Sequence, residues 1–458
     1  MQKITTAQID AIHQRQKSFF ASGATRSIAF RKQQLRKLKQ AILSYQSALE
    51  EAVWKDLRKS KEEFYITEIS VVLSEIDYHL KHISQWSKPK RVPSPYFLFP
   101  AKAAIYHQPY GVSLIISPWN YPFQLLINPL VGALSSGCTA VLKPTPDIPH
   151  VAAVMEKMIS TTFDPHYVCL LQGSIPVNER LLKKQFDLIF FTGSSRVGKI
   201  IMKAAAEFLT PVVLELGGKS PCVVDKGAHL DAAAKRILWG KITNAGQTCV
   251  APDYVLVHEE EKEALITKMK QHLSTMLGED IQKSPHYGRI VNEAMFDRLA
   301  PMLKEGNIRL GGDAEKADRY IAPTLLDQVP ETARCMQEEI FGPILPIISF
   351  SKFEEVLDRI QSHETPLAFY YFGSRKKGRK MIEQSLSGGA CINDTLMHLA
   401  CQNLPFGGVG HSGMGSYHGY KSFQAFTHER GVFENVQQYD PPLRYAPFKY
   451  FGMLKKML

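Results

Sequence analysis

From Phe30 to Leu57 apolar residues recur at helical spacing: Leu35, Leu38, Ile42, Leu43, Leu49 and Val53 stand among Lys, Arg, Glu and Gln. A second such run covers roughly Glu62 to Trp86, so residues 1–85 read as helices. The stretch from Lys88 to Pro95 holds Pro89, Pro93 and Pro95 and must leave helix, which predicts a connector or an arm. From Ala104 onward the texture changes. Strand-like runs (Gly111–Ile116, Thr139–Leu142, Tyr167–Leu171, Leu188–Phe191, Val212–Leu216, Cys222–Val224) now alternate with helical ones at Leu125–Leu134, His150–Thr161 and Val197–Phe208. Such alternation predicts a mostly parallel sheet with crossover helices, a Rossmann-like layout. A second alternating block runs from Leu230 to about Leu399, and the tail from Cys401 reads as loop-rich.

At 458 residues the chain exceeds one hydrophobic core, so two or three domains are expected. The polar N-terminus carries no signal-peptide pattern, and no apolar stretch approaches a membrane span. Seven cysteines, scattered and without a C-x-x-C pair, argue against a disulfide framework or a metal site and for a reducing, cytoplasmic setting. The formal charge of +11 raises nucleic acid, an acidic membrane surface or anionic ligands as partners. A basic cluster lies at Arg31, Lys32, Arg36, Lys37 and Lys39, but without a nucleic-acid motif it reads as a solvated face.

Several segments carry chemistry. In Asn244-Ala245-Gly246-Gln247-Thr248-Cys249-Val250-Ala251-Pro252, a cysteine sits between a Gly-containing turn and a Pro-interrupted segment. Irregular backbone there would expose both its sulfur and its N–H, as a nucleophile needs, although a free cysteine is as often a small buried hydrophobe. Glu215 ends an apolar strand just before Gly217 and Gly218. Desolvation would raise its pKa towards general-base work, whereas the bland alternative is a surface carboxylate on an alternating strand. Asn120, between Pro118 and Pro122, is placed to donate to an oxyanion or merely to form an Asx turn. Gly193-x-x-x-x-Gly198-Lys199 nearly matches a Walker A loop but is followed by Ile200 where that motif needs Ser or Thr. Its other reading is a Gly193–Ser194 turn that seats a dinucleotide pyrophosphate at a helix N-terminus. The acidic pair Glu338–Glu339 before Phe341 is suited to ribose hydroxyls, or simply to solvent.

Taken in order, these segments resemble the aldehyde dehydrogenase superfamily over roughly residues 25–430: the P-W-N-Y-P type loop, the K-P loop, F-T-G-S, E-L-G-G-K-S-P, G-Q-x-C and E-E-I-F-G-P. Cys249 to Tyr254, Ile392 to Thr395 and Leu404 to Gly408 look most like the class 3 branch, which acts on aromatic and medium- to long-chain aldehydes. The resemblance implies a fold with a Rossmann-like cofactor domain (1–85 and 108–215), an α/β catalytic domain (216–400), bridging or oligomerisation segments (86–107 and 401–445) and a tail (446–458). It further implies a homodimer, with NAD or NADP as cofactor and an aldehyde as substrate. Residue by residue, Cys249 becomes the nucleophile, Glu215 the general base and Asn120 an oxyanion donor. Lys143 and Glu339 match ribose-binding positions, Gly193 and Ser194 the pyrophosphate site, and Phe341 the aromatic beside the nicotinamide.

The chemistry is coherent on these groups: a Cys249 thiolate adds to the aldehyde, hydride leaves, and Glu215 activates water against the thioester. Trp119, Tyr121 and His398 are expected around the aldehyde. One departure matters. Pro146 stands where class 3 members usually carry an acid that repels a 2′-phosphate, so NADP is expected to be tolerated unless Asp147 substitutes. The tail interleaves Phe448, Tyr450, Phe451 and Met453 with Lys449, Lys455 and Lys456; packing or gating is preferred over contact with an anionic membrane. A P-loop-like nucleotide-binding protein is the alternative from another class.

Overall fold

The computed structural model describes residues 5–438, 440 and 445–457; parts of the expected segments at 1–4, 439, 441–444 and 458 lie outside these. Two α/β sheets dominate. The first runs, edge to edge, through Gly413–Met414, Val212–Glu215, Leu188–Thr192, Val112–Ser117, Thr139–Pro144 and Val168–Leu170. All its pairings are parallel except that of Gly413–Met414. The four inner strands are buried nearly throughout, as a parallel sheet covered by helices on both faces requires.

The second sheet runs through Asn307–Leu310, Thr324–Asp327, Ile344–Phe350, Tyr254–His258, Pro221–Val224, Ala368–Phe372 and Gly389–Ile392. It too is parallel apart from its first strand. The long helix Ile28–Leu57 buries Leu35, Leu38, Ile42, Leu49 and Val53 against the helix Pro149–Thr162 on the first sheet. Leu43, of the same run, is 46% exposed and faces solvent. Arg31 departs from the expected basic face: it is buried, and its guanidinium donates to the carbonyls of Thr25 and Ser135.

The tail departs from the loop-rich expectation. Residues Thr427–Glu434 form a strand paired along its whole length with Lys102–Pro109, which in turn pairs with Lys90–Val92. Most side chains of Thr427–Glu434 are exposed, so no period-2 hydrophobic pattern announces the strand in sequence. A short helix, Phe451–Met457, ends the described chain, and Phe448, Tyr450, Phe451 and Met453 are each about half exposed. Among the described residues no helix is long and apolar enough to cross a membrane.

Candidate active site

In the first sheet the chain leaves Val112–Ser117 towards one edge and later returns to Leu188–Thr192 on the other side. Between the carboxyl ends of those two strands lies the switch point at which open α/β sheets hold ligands. One rim is Pro118, Trp119 and Asn120; the other is Thr192, Gly193 and Ser194. Gly193 and Ser194 are the whole connection to the helix Ser195–Ala206, whose first turn is capped by Ser194 accepting from Val197. A Cβ on Gly193 would sit 2.5 Å from the Phe191 ring, so the turn is compact as well as short. Gly198 and Lys199 already lie in the helix, which leaves no Walker-type loop to wrap phosphates. The next strand delivers Glu215, 2% exposed, with both carboxylate oxygens lacking a hydrogen-bond partner among the described residues. Burial pushes its carboxyl well above the usual carboxylate range.

The loop bearing Cys249 is set by unusual backbone. Asn244 (φ 52°), Ala245 (φ 51°) and Gly246 (φ 72°) are successively left-handed, which costs about 1–3 kcal/mol at each non-glycine position. A Cβ on Gly246 would lie 2.3 Å from the Gly342 carbonyl oxygen, so only glycine fits there. The strain is held by bonds on every side. Gln247 donates to the carbonyls of Asn244 and Arg289 and accepts from the Val291 N–H. Asn244 Nδ2 donates to the carbonyls of Asn120 (2.7 Å) and Gln247 (3.1 Å), and Asn120 Nδ2 donates to that same Gln247 oxygen at 3.0 Å.

Cys249 is shared by two cavities. One, of about 280 Å³, is lined by Asn120, Thr192, Gly193, Ser194, Glu215, Glu339 and Phe341. The other, of about 200 Å³, is walled by apolar groups including Ile66, Val71, Leu125, Trp239, Leu396 and Phe406. Burial, then the Glu339 and Glu215 carboxylates, push the Cys249 thiol up. Burial likewise raises Glu339 to about 8, opposed by the Gly218 N–H and Lys219. Its carboxylate lies where a Cβ on Gly217 would stand, 2.4 Å away. Lys143 is fully buried with its ammonium on the Pro144 and Gly173 carbonyls, and desolvation lowers it to about 8.

Seven of the eight expected site residues therefore line one cavity, and Lys143 stands at the end of the adjacent strand Thr139–Pro144. Trp119 lines the switch-point cavity, edge-on to Phe341 at 5.4 Å, whereas Tyr121 lines the apolar one. His398 lines neither cavity. Its Nδ1 meets Cys391 Sγ at 3.2 Å, and its neighbours Met397 and Leu399 take the wall instead. Met295 and Arg298, absent from the sequence reading, complete the switch-point cavity. Arg298 also donates to the backbone carbonyls of Glu339 and Ile340, and no local motif marks it. Thr192 Oγ1, Asn120 Oδ1 and the Glu215 oxygens, all buried and unpartnered, give the cavity the polar lining a dinucleotide's hydroxyls and carboxamide would use.

The aldehyde dehydrogenase family model matches residues 1–432, and the chain belongs to that family. It is an NAD(P)-dependent aldehyde dehydrogenase. It is 48% identical to the 4,4'-diaponeurosporen-aldehyde dehydrogenase of Staphylococcus aureus, over 94% of this chain and 95% of that one. To a mouse aldehyde dehydrogenase, described as dimeric and NADP-preferring, it is 43% identical over 93% of this chain and 94% of the relative. A substrate-bound structure of Staphylococcus aureus AldH superposes with a TM-score of 0.96 at 46% identity, covering 98% of this chain and 99% of that one.

Proposed function

We propose that the chain oxidises an aromatic or medium- to long-chain aliphatic aldehyde to its acid through a covalent adduct on Cys249. One observation carries the reading: Cys249 is common to the cavity at the switch point, which Asn120, Glu215 and Glu339 also line, and to a second cavity walled mainly by apolar side chains. An aldehyde entering past Ile66 and Met397 would bring its carbonyl to the sulfur while its apolar body stays among Val71, Trp239 and Leu396.

The Cys249 thiol gives its proton to solvent water, and Sγ bonds to the carbonyl carbon as the C=O π pair moves onto oxygen, giving a thiohemiacetal anion. One Asn120 amide hydrogen is engaged by the Gln247 carbonyl, and the other is free to meet the developing oxyanion. NAD(P) would be held by Gly193 and Ser194, Lys143 and Glu339, and would supply the hydride acceptor. Glu215 then takes a proton from water, which attacks the resulting thioester and releases the acid. A buried carboxylate with no hydrogen-bond partner among the described residues suits that task, since burial raises its pKa towards that of a base working near neutral pH.

Pro146 leaves no acid against a 2′-phosphate, and the Asp147 carboxylate already accepts from Thr145 (2.6 Å) and Asn292 (3.1 Å). We infer that NADP is used. The dimeric description of the mouse relative, together with exposed Phe433 and Val436 on and beside the three-stranded sheet, supports a homodimer. A panel of aldehydes from two to sixteen carbons plus benzaldehydes, read by reduced-cofactor absorbance, tests the substrate class. Values of kcat/KM that rise with apolar length are expected; a preference for acetaldehyde would overturn the reading.

A further inference from the structure

The segment Ser60-Lys61-Glu62-Glu63 has the S-x-x-E form of a helix capping box, and Ser60 does cap the turn by accepting from the Glu63 N–H at 3.1 Å. In such a box the glutamate bends back to its own N-cap. Here it does not. Glu63 Oε1 instead accepts from the backbone N–H of Asn244 at 2.8 Å, 181 residues away and on the strained turn before Cys249. The same hairpin sends the fully buried Lys59 to the Asn120 carbonyl at 3.0 Å and over the Tyr121 ring at 4.2 Å. Lys59 is paired with Glu68 at 2.7 Å, whose other oxygen accepts from Phe123 and Gln124 at the start of the helix Gln124–Ser136. One short segment thus holds both partners of the oxyanion site, one from each sheet's connections.

We infer that Glu63 is a positioning residue for this reaction: by fixing the Asn244 N–H it keeps Asn244 left-handed, so that Asn244 Nδ2 holds the Asn120 and Gln247 carbonyls in register. Glu63 lines neither cavity. Its effect passes through the Asn244–Gln247–Asn120 hydrogen bonds to the amide that faces the reacting carbonyl. The role needs an acceptor at a given reach, and not a charge. A glutamine keeps that acceptor; an aspartate keeps the charge but is one methylene short.

This inference rests on the reading that Asn120 serves the oxyanion, so Asn120→Ala is measured alongside Glu63→Gln, Glu63→Asp and Glu63→Leu. Readouts are kcat, aldehyde KM, cofactor Kd by fluorescence titration, the rate of the first-turnover burst, and the thermal midpoint. Expected are a Glu63→Gln enzyme within twofold of wild type and a Glu63→Asp enzyme at least tenfold slower in kcat and burst rate. KM and Kd should stay within twofold, and the Gln and Asp variants should melt within two degrees of each other. Glu63→Asp matching wild type, Glu63→Gln as impaired as Glu63→Leu, or a loss that tracks the melting point would overturn the inference. Full activity of Asn120→Ala would instead overturn the oxyanion reading beneath it.

Discussion

Asn120 Nδ2 donates to the Gln247 carbonyl oxygen at 3.0 Å, which joins the loop after the strand Val112–Ser117 to the loop bearing Cys249. That bond engages one of the two Asn120 amide hydrogens. Replacing Asn120 by Ala should lower kcat by about 10²–10³-fold, or about 3–4 kcal/mol of transition-state stabilisation, with cofactor binding unchanged. Stopped-flow measurement of reduced-cofactor formation checks this; a loss below threefold would remove Asn120 from the role.

Glu215→Gln should release a stoichiometric burst of reduced cofactor followed by slow turnover, because acylation survives while water activation does not. In the wild type, kcat should rise with pH through a value well above the ordinary ~4.3 of a glutamate. The linkage has a definite sign. A carboxyl whose folded pKa is raised gives full stability below ~4.3 and loses it as pH climbs through the folded value. Glu215→Gln should therefore melt at or above wild type at pH 8, by differential scanning calorimetry.

Cys249 should alkylate slowly with iodoacetamide at pH 7 in the free enzyme, and the rate should still be climbing at pH 9.5. Burial and then Glu339 push the thiol up, so Glu339→Gln should shift that profile to lower pH. Mass spectrometry of the peptide containing Cys249 follows the reaction. An unmoved profile would exclude Glu339 as a contributor.

Lys143, lowered to about 8 by burial, is a charged donor only below that pH. Cofactor Kd should rise as pH passes 8, and Lys143→Met should reduce the dependence, leaving the part due to Glu339, which titrates in the same range, while weakening binding by about 1.5–3 kcal/mol, the range for a charged hydrogen bond. Pro146→Glu should lower kcat/KM for NADP at least tenfold and spare NAD, since a carboxylate repels the 2′-phosphate. Steady-state kinetics with both cofactors decides the second point and calorimetric titration the first.

Gly246→Ala should cost at least about 2 kcal/mol, from the left-handed backbone and the overlap with Gly342. Urea unfolding measures the loss, and an unchanged midpoint would contradict the packing described for this turn.

Much of the fold was legible in the chain. Strands buried on both faces read as short apolar runs: the expected run Leu188–Phe191 is the strand Leu188–Thr192, and Val212–Leu216 is Val212–Glu215. Thr427–Glu434 stayed hidden because an exposed, polar strand has no periodicity to show. Site residues that sit in rigid local motifs, such as Gly193 and Glu215, were visible for the same reason as the strands that carry them. Arg298 and Met295 were not, since they reach the cavity from a helix whose sequence is unremarkable apart from its place in space.

Local chemistry in the sequence by itself determined which groups could react: a cysteine on a glycine turn, a carboxylate at a strand end, an amide between prolines. What only the tertiary structure decided was their state and their company. Burial pushes the Cys249 thiol up, Glu215 is left without hydrogen-bond partners among the described residues, and Glu63 is diverted from its own helix to a turn 181 residues on. Desolvation and long-range hydrogen bonds depend on what surrounds a group in three dimensions, and spacing along a chain does not encode that.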